Sequence, residues 1–372
     1  MREPSANGAV EANPIRVLVV EDSITTRELL VQVLRADGRF TVVGVAGNGE
    51  DAVTMAARLK PDVITMDILL PRLDGLAATR RIMAETPTPI VVVSANVEQK
   101  TVGLAFEALQ AGSVSVLDTP PGPDDPRHPA AVGELLTTLR LMSEVKVVRR
   151  TASTGGGGGK AVAGARLTPL VDPPLIPTLR PQVIGIAAST GGPQAIQLVL
   201  QALGGDLPAP VLIVQHISSG FAAGMASWLS ATCPQPVRLA SNGDEMKGGV
   251  VYLAPEGHHL LVTRKATLVL SKSMPVRGFR PSATILFESL AECYGARAIG
   301  VILTGMGDDG VSGLNALRSA GGITIAQDEL TSVVNGMPGA AVAAGAAGRV
   351  LPLPVIGPAV RGLLGLHSPR AL

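Results

Sequence analysis

Aromatic residues are nearly missing: Phe, Trp and Tyr make up 2% of 372 residues, with one Trp in all. That argues against stacking platforms for single-stranded nucleic acid. Net charge is missing as well, because 31 Lys and Arg stand against 30 Asp and Glu for a formal +1. No strong positive field exists for a phosphate backbone or an anionic membrane surface, so no nucleic-acid partner is expected. Only two cysteines occur, Cys233 and Cys293. They make neither a disulfide framework nor a zinc-ligand spacing, and they fit a reducing, cytoplasmic setting. Long apolar runs are absent too. The mean hydropathy of +0.36 comes from Ala, Val, Leu and Ile scattered over short segments. The uncharged stretches Pro181–Gly205 and Leu207–Val237 are interrupted by Gln, Ser, Gly and Pro, unlike a membrane span of about 20 apolar residues. No membrane insertion is expected. Met1–Asn13 has no apolar centre and is not read as a signal peptide.

What is present is alternation. A length near two and a half times the roughly 150-residue domain size predicts two domains and a linker. Ile15–Val20, Thr41–Val45, Val63–Met66 and Ile90–Ser94 read as buried strands, with Ser113–Leu117 as a fifth, and helical patterns such as Ile24–Arg35 and Leu76–Glu85 fill the gaps. That order implies a parallel sheet covered on both faces, a flavodoxin-like domain over residues 14–148. Residues 149–181 break the pattern with five consecutive glycines inside Thr151–Lys160 and a proline-rich Leu167–Pro181, the composition of a flexible linker. Residues 182–366 resume with strands expected at Val183–Ala187, Val211–Gln215, Val250–Ala254, Ala298–Leu303 and Ile323–Ala326. Val262–Leu270 is a possible antiparallel hairpin partner, and residues beyond about Pro352 are expected to form a short tail. A second doubly wound α/β sheet follows.

In the first domain Glu21-Asp22 follows strand one and Asp67 follows strand three. A parallel sheet gathers three carboxylates at its carboxyl edge, where oxygen-only ligands suit Mg²⁺ and a metal-screened Asp can accept a phosphoryl group. The plainer alternative is helix capping. Val19-Val20-Glu21-Asp22-Ser23, Met66-Asp67-Ile68-Leu69-Leu70-Pro71 and Leu73-Asp74-Gly75 resemble the receiver domain of two-component response regulators. The resemblance implies Asp67 as the phosphorylation site, Glu21, Asp22 and Asp67 as holders of Mg²⁺, Ser94 as the phosphoryl-sensing hydroxyl, and a sensor histidine kinase as partner. One departure stands out. Receivers end strand five in Lys-Pro with an aromatic residue three positions before the Lys, whereas this chain has Thr119-Pro120 and Val116. Thr lacks the point charge that a Lys supplies.

In the second domain strand Val183–Ala187 runs into Ala188-Ser189-Thr190-Gly191-Gly192-Pro193. A Ser on a tight turn beside a helix N-terminus has backbone N–H groups available for an oxyanion, although such a Ser is more often ordinary turn chemistry. Ala187 stands where a nucleophile elbow has its first Gly. Of five histidines, His216 directly follows strand Val211–Gln215 and shares the carboxyl edge with Ser189; His258 and His259 follow a strand less directly, His128 lies in a proline-rich loop and His367 in the tail. The required carboxylate is Asp308 or Asp309, in the loop Thr304–Gly310 after strand Ala298–Leu303, and spacing leaves the two open. The same loop reads Gly305-x-Gly307-x-x-Gly310 with Asp328 beyond it, a dinucleotide fingerprint in form. Two acidic residues beside a pyrophosphate argue against that rival.

Ala188-Ser189-Thr190-Gly191-Gly192, Gln215-His216, Arg280-Pro281-Ser282, Leu303-Thr304-Gly305-Met306-Gly307, Ala326-Gln327-Asp328 and Gly336-Met337-Pro338, in this order behind a receiver, resemble the chemotaxis protein-glutamate methylesterase (CheB) family. The resemblance implies Ser189 as nucleophile, His216 as base and Asp309 as orienting acid. Asp309 is selected because the family commonly has Asn at the position of Asp308. It further implies oxyanion donors near Thr190 and Met306, hydrolysis of glutamate γ-methyl esters on the cytoplasmic helices of methylated chemoreceptors with release of methanol, deamidation of receptor glutamine, no cofactor for the ester step, and control by the receiver. Thr284 replaces a frequent Asp, Ser218-Ser219 a Pro-Pro pair and Ala187 a Gly. An adaptor with an inactive second sheet is the alternative from a different class; retention of all three triad residue types counts against it.

Overall fold

The computed structural model describes residues 13–94, 115–145, 179–217 and 220–366. The described residues divide into two compact units, 13–94 with 115–145, and 179–217 with 220–366. The expected linker lies, up to residue 178, outside the described residues.

In the first unit β1 (Ile15–Val20), β2 (Phe40–Ala46), β3 (Val63–Met66), β4 (Ile90–Ser94) and β5 (Ser115–Asp118) form one sheet in the order β2-β1-β3-β4-β5, and all pairings are parallel. Val17 to Val20 and the whole of β3 and β4 are buried, which is why unbroken apolar runs, rather than alternating ones, form these strands. The helices α1 (Ile24–Ala36), α2 (Gly49–Leu59), α3 (Gly75–Glu85) and α4 (His128–Ser143) accompany the sheet. Three of them begin at side-chain caps: Ser23 accepts from the Thr26 N–H, Asn48 from Asp51 and Asp74 from Ala77. Each such cap satisfies one N–H that the first helical turn leaves unpaired. Sequence order reverses between β1 and β3, so the ligand crevice of such a sheet lies at their carboxyl ends.

The second unit has seven parallel strands in the order β14-β13-β12-β6-β7-β9-β8. They are β6 (Val183–Ala188), β7 (Val211–Gln215), β8 (Val237–Leu239), β9 (Val251–Leu253), β12 (Ala298–Ile302), β13 (Ile323–Gln327) and β14 (Arg349–Leu351). β10 (His259–Val262) and β11 (Leu268–Ser271) form a separate antiparallel pair. The helices are α5 (Gly192–Leu203), α6 (Ala222–Thr232), α7 (Ala283–Cys293), α8 (Val311–Ser319), α9 (Met337–Ala343) and α10 (Leu353–Leu363). Val183 and Ala187 of β6 pack in one core with Phe287, Leu290, Leu314 and Met337.

The expected short tail is corrected. Residues 353–363 form α10, whose Gly357 lies against Ala202 and Val199 of α5. Its Arg361, 4% exposed, pairs with Asp206 at 2.6 Å. Three prolines suggest a broken segment, but Pro352 precedes the helix, Pro354 occupies its first turn, where the missing N–H costs nothing, and only Pro358 interrupts the helix interior. β8 and β14, three residues each, are edge strands too short to announce themselves. Among the described residues, no helix is long and apolar enough to cross a membrane.

Candidate active site and acidic centre

The carboxyl edge of the first sheet collects the expected acids. Glu21, Asp22 and Asp67 each place a carboxylate oxygen so that all three lie within 4.8 Å of one another. None of them caps the helix that follows, since Ser23 and Asp74 do so. Glu21 is 4% exposed and Asp67 8%. Burial first, and the Asp67 charge second, push the Glu21 carboxyl up to about 7, although the Ser23 N–H donates to it at 3.1 Å. Burial likewise raises Asp67, opposed by the Ile68 N–H at 2.7 Å. Carboxylates held this close and dry resist ionising together unless a cation answers them. An all-oxygen donor set with one exposed member fits a hard divalent ion such as Mg²⁺.

Ser94 ends β4, and its hydroxyl faces Asp67 closely enough to help hold that carboxyl down against its burial. Its buried hydroxyl nevertheless makes no hydrogen bond among the described residues, and neither does the Thr119 hydroxyl after β5. The Thr119 N–H donates to the Ser94 carbonyl at 3.2 Å, so both hydroxyls belong to one edge.

The second sheet presents its own carboxyl edge at the point where strand order turns from β6 toward β7 on one side and β12 on the other. Ser189 follows β6, His216 follows β7, and the loop bearing Asp308 and Asp309 follows β12. The Ser189 N–H donates to the Thr304 carbonyl at 3.0 Å, and the His216 N–H to the Ala188 carbonyl at 3.0 Å. Gln215 binds the two loops together, its Nε2 donating to the carbonyls of Ser189 and His216 at 2.7 Å each. Gly191 turns the chain into α5 with φ 75°, a conformation that suits Gly.

His216 and Asp309 meet directly, Nε2 to Oδ2 at 2.8 Å. The remaining His216 nitrogen, Nδ1, is buried with no hydrogen-bond partner among the described residues. Ser189 is half-buried, and among the described residues its hydroxyl forms no hydrogen bond to His216. Backbone tethers, not a formed side-chain bond, bring these two residues together. Catalytic hydrogen bonds of this kind commonly tighten only when substrate binds.

Asp309 is 1% exposed and lies against the start of α7. Its Oδ1 accepts from the Ser282 hydroxyl at 2.6 Å and the Thr284 N–H at 3.3 Å; its Oδ2 accepts from the Ala283 N–H at 2.7 Å as well as from His216. Burial pushes this carboxyl up, but the His216 and Ser282 hydrogen bonds, the His216 charge and the Ala283 N–H outweigh it and hold it at about 2. Asp308, the other candidate, is exposed and pairs with Arg277. Geometry therefore separates two neighbours that spacing leaves open.

Thr190 follows Ser189 in the same turn, its carbonyl accepting from the Thr304 hydroxyl at 2.9 Å. Met306 is 38% exposed and follows Gly305, which lies hard against the serine: a Cβ at 305 would sit 2.7 Å from Ser189 Cβ and 2.5 Å from Met337 Sδ. The close approach of Gly305 is thus to Ser189. Asp328 is engaged in its own turn by Thr331, whose N–H donates to it at 3.0 Å. Both features remove the dinucleotide reading.

Four contributors escape sequence reasoning. Ser282 caps the buried carboxylate rather than its own helix. Thr284 accepts from the Gly310 N–H at 2.9 Å and so holds the Asp309 loop. The Phe279 ring stacks on His216 with centroids 4.0 Å apart and planes 5° from parallel. Gln215 is the fourth. The available signal is the run Arg280-Pro281-Ser282, a Ser placed just before a helix.

The sequence pattern of the CheB methylesterase family matches residues 184–360, and that of the response regulator receiver domain matches residues 17–125. A Myxococcus xanthus protein-glutamate methylesterase/protein-glutamine glutaminase is 48% identical over 92% of this chain and 95% of its own length. The chain belongs to the CheB methylesterase family. A Geobacter metallireducens relative with the same description is 44% identical over 91% of this chain and 95% of its own length. The crystal structure of the Thermotoga maritima CheB methylesterase catalytic domain is 35% identical, covers 50% of this chain and 99% of that one, and superposes with a TM-score of 0.47. The relatives are, by description, protein-glutamate methylesterases/protein-glutamine glutaminases, and this chain is a carboxylic ester hydrolase of that kind with a receiver domain of its own. The expected fold class, a flavodoxin-like receiver ahead of a mainly parallel α/β methylesterase domain, agrees with the two sheets.

Proposed function

We propose that this chain hydrolyses γ-methyl esters of glutamate on the cytoplasmic helices of methylated chemoreceptors, and deamidates receptor glutamine, through Ser189, His216 and Asp309. With Nε2–H given to Asp309, Nδ1 of His216 is the lone pair free to accept the Ser189 proton. Ser189 Oγ attacks the ester carbonyl, and the N–H groups of Thr190 and Met306 receive the developing oxyanion. His216 returns its proton to the methoxy leaving group, so methanol departs and Ser189 carries the acyl group. Water then attacks with His216 again taking the proton, His216 passes that proton to Ser189 Oγ as the acyl–oxygen bond breaks, and glutamate is freed. With an amide the leaving group is ammonia. Asp309 stays ionised throughout and fixes the ring. The observation that carries this reading is the 2.8 Å His216–Asp309 contact inside a four-donor cradle.

Glu21, Asp22 and Asp67 are the residues that would hold Mg²⁺ in the receiver. The ion supplies positive charge to the carboxylates and to phosphoryl oxygens. Asp67 accepts the phosphoryl group from a sensor histidine kinase, with the Ser94 hydroxyl as the donor facing it and the Thr119 hydroxyl on the same sheet edge. Phosphorylation then relieves inhibition of the hydrolase.

The test is methanol release from membranes carrying a methylated chemoreceptor. The full chain should release methanol and its Ser189→Ala variant none, with the fold unchanged by circular dichroism. Turnover by the Ala variant would overturn the nucleophile. Addition of acetyl phosphate with Mg²⁺ should raise the rate of the wild type but not of Asp67→Asn. Equal rates under all these conditions reject the regulatory part.

A further inference from the structure

His259 has no place in the chemistry above, yet it is wholly buried and both of its ring nitrogens are engaged. It opens β10. Its Nε2 lies 3.1 Å from the Met274 carbonyl oxygen, and its Nδ1 accepts the Ser282 N–H at 3.2 Å. A carbonyl can only accept and an amide N–H can only donate, so these two partners together require a neutral ring carrying its hydrogen on Nε2. A charged imidazole would have no lone pair for Ser282.

The two bonds grip both ends of one segment, residues 274–282. Inside it Val276 and Phe279 pair with each other through both backbone hydrogen bonds, at 3.1 and 2.9 Å, closing a tight loop. Two side chains of the segment reach the triad: Phe279 stacks on the His216 ring, and Ser282 donates to Asp309. A third, Arg277, pairs with Asp308, the neighbour of Asp309. Arg280 adds bonds to the Lys272 and Ser273 carbonyls and takes one from the Gly257 N–H, but the buried imidazole is the group that holds both ends of the strap bearing Phe279 and Ser282.

We propose that His259 is a positioning residue of the hydrolase, a neutral Nε2–H imidazole that clasps residues 274–282 so that Phe279 and Ser282 hold His216 and Asp309 in place. The proposal rests on the triad reading above. It assigns the clasp two separable halves. The Nδ1 half acts on Ser282 and, through its hydroxyl, on Asp309. The Nε2 half acts on Met274 and the far end of the strap. Misplacement of a catalytic group by about 1 Å costs roughly 10²-fold in rate, so the Nδ1 half should dominate turnover.

The experiment divides the halves by substitution in the full chain, assayed on membranes bearing a methylated chemoreceptor. In His259→Asn the amide oxygen occupies the place of Nδ1, which keeps the acceptor for Ser282 and gives up Met274. In His259→Gln the amide nitrogen occupies the place of Nε2, which keeps Met274 and gives up Ser282. The Gln variant should lose about 10²-fold in kcat with KM unchanged, and the Asn variant should stay within about tenfold of wild type. Ser282→Ala combined with His259→Gln should be no slower than the slower single variant, because both act through one hydroxyl. Wild-type kcat in the Gln variant, equal losses in Asn and Gln that follow their melting temperatures, or a double variant whose losses multiply would each overturn the clasp. A measurement without substitution guards against misfolded variants: ¹⁵N imidazole spectra of the wild type should show His259 neutral and protonated at Nε2, and protonation at Nδ1 overturns the proposal. Asp309→Asn is the control arm. A wild-type rate there defeats the triad reading, whereas an inactive Asp309→Asn beside a fully active His259→Gln defeats the clasp alone.

Discussion

Two buried carboxyl groups stand at the carboxyl edges of the two sheets, Glu21 directly after β1 and Asp309 in the loop after β12, and they behave in opposite ways. Glu21 is pushed up to about 7, with the like charge of Asp67 adding to burial. Asp309 is just as dry and is held at about 2. Burial acts in the same direction on both, so the partners decide. Asp309 receives four hydrogen bonds, two of them from N–H groups that open α7, and the helix end adds its own positive field. Glu21 receives one N–H and faces two more carboxylates. The hydrolase edge is electrostatically complete within the chain, whereas the receiver edge holds three carboxylates that only a cation would answer.

The largest effect that tests this contrast is the loss of the completed carboxylate. Asp309→Asn should lower kcat for methanol release by about 10⁴-fold, since the amide presents the wrong partner to the imidazole. A drop below about tenfold in steady-state kinetics would mean that the cradle does not serve catalysis. The complementary change supplies what the receiver edge lacks. Mg²⁺ at 100 times its dissociation constant should stabilise the receiver by about 2.7 kcal/mol, seen as a raised melting transition that Asp22→Asn and Glu21→Gln abolish. An unchanged transition breaks the contrast from that side. Ester hydrolysis should persist in EDTA.

Acid separates the edges further. The Asp309 carboxyl lies near 2 when folded and at an ordinary 3.8 when unfolded. The unfolded chain therefore binds more protons between these values, and stability from this group is present above about pH 3.8 and is lost as the pH falls through about 2. The difference is on the order of 2 kcal/mol. Trp228, the only Trp, is buried in α6 of the hydrolase unit, so urea unfolding followed by its fluorescence reports on this unit. The wild type should lose this increment on acidification and Asp309→Asn should not; parallel curves would contradict it. The smallest expected effect comes from Thr119→Lys, which places a charged donor where the chain has a hydroxyl. Phosphorylation of Asp67 by acetyl phosphate should accelerate on the order of tenfold, the worth of one charge-assisted hydrogen bond. No change would show that the Thr119 position does not touch the phosphoryl group.

Much of the fold is legible because apolar, largely β-branched runs such as Val17–Val20 and Val211–Gln215 are buried on both faces and need no partner pattern to be read. The acids of the receiver and the pair Ser189 and His216 are legible for a related reason: each directly follows such a strand, and parallel strands end at one edge. The choice between Asp308 and Asp309 is not legible from spacing, because what separates them is burial against α7, a helix that starts 26 residues away from Asp309 at Ala283. Ser282, Phe279 and His259 escape for the same reason. Their roles arise from contacts across long stretches of chain, 27 residues in the case of Ser282 and Asp309. α10 escapes because its prolines read as breakers while its stabilising partners, Asp206 and the end of α5, lie about 150 residues earlier.

The most direct test of the central claim is where a fluorophosphonate ester attaches. Peptide mass spectrometry of the full chain after labelling should find the adduct on Ser189, with labelling lost in His216→Ala and strongly slowed in Asp309→Asn. An adduct on another residue, or labelling of Ser189 at the same rate in all three proteins, would contradict a nucleophile activated by this imidazole and this acid.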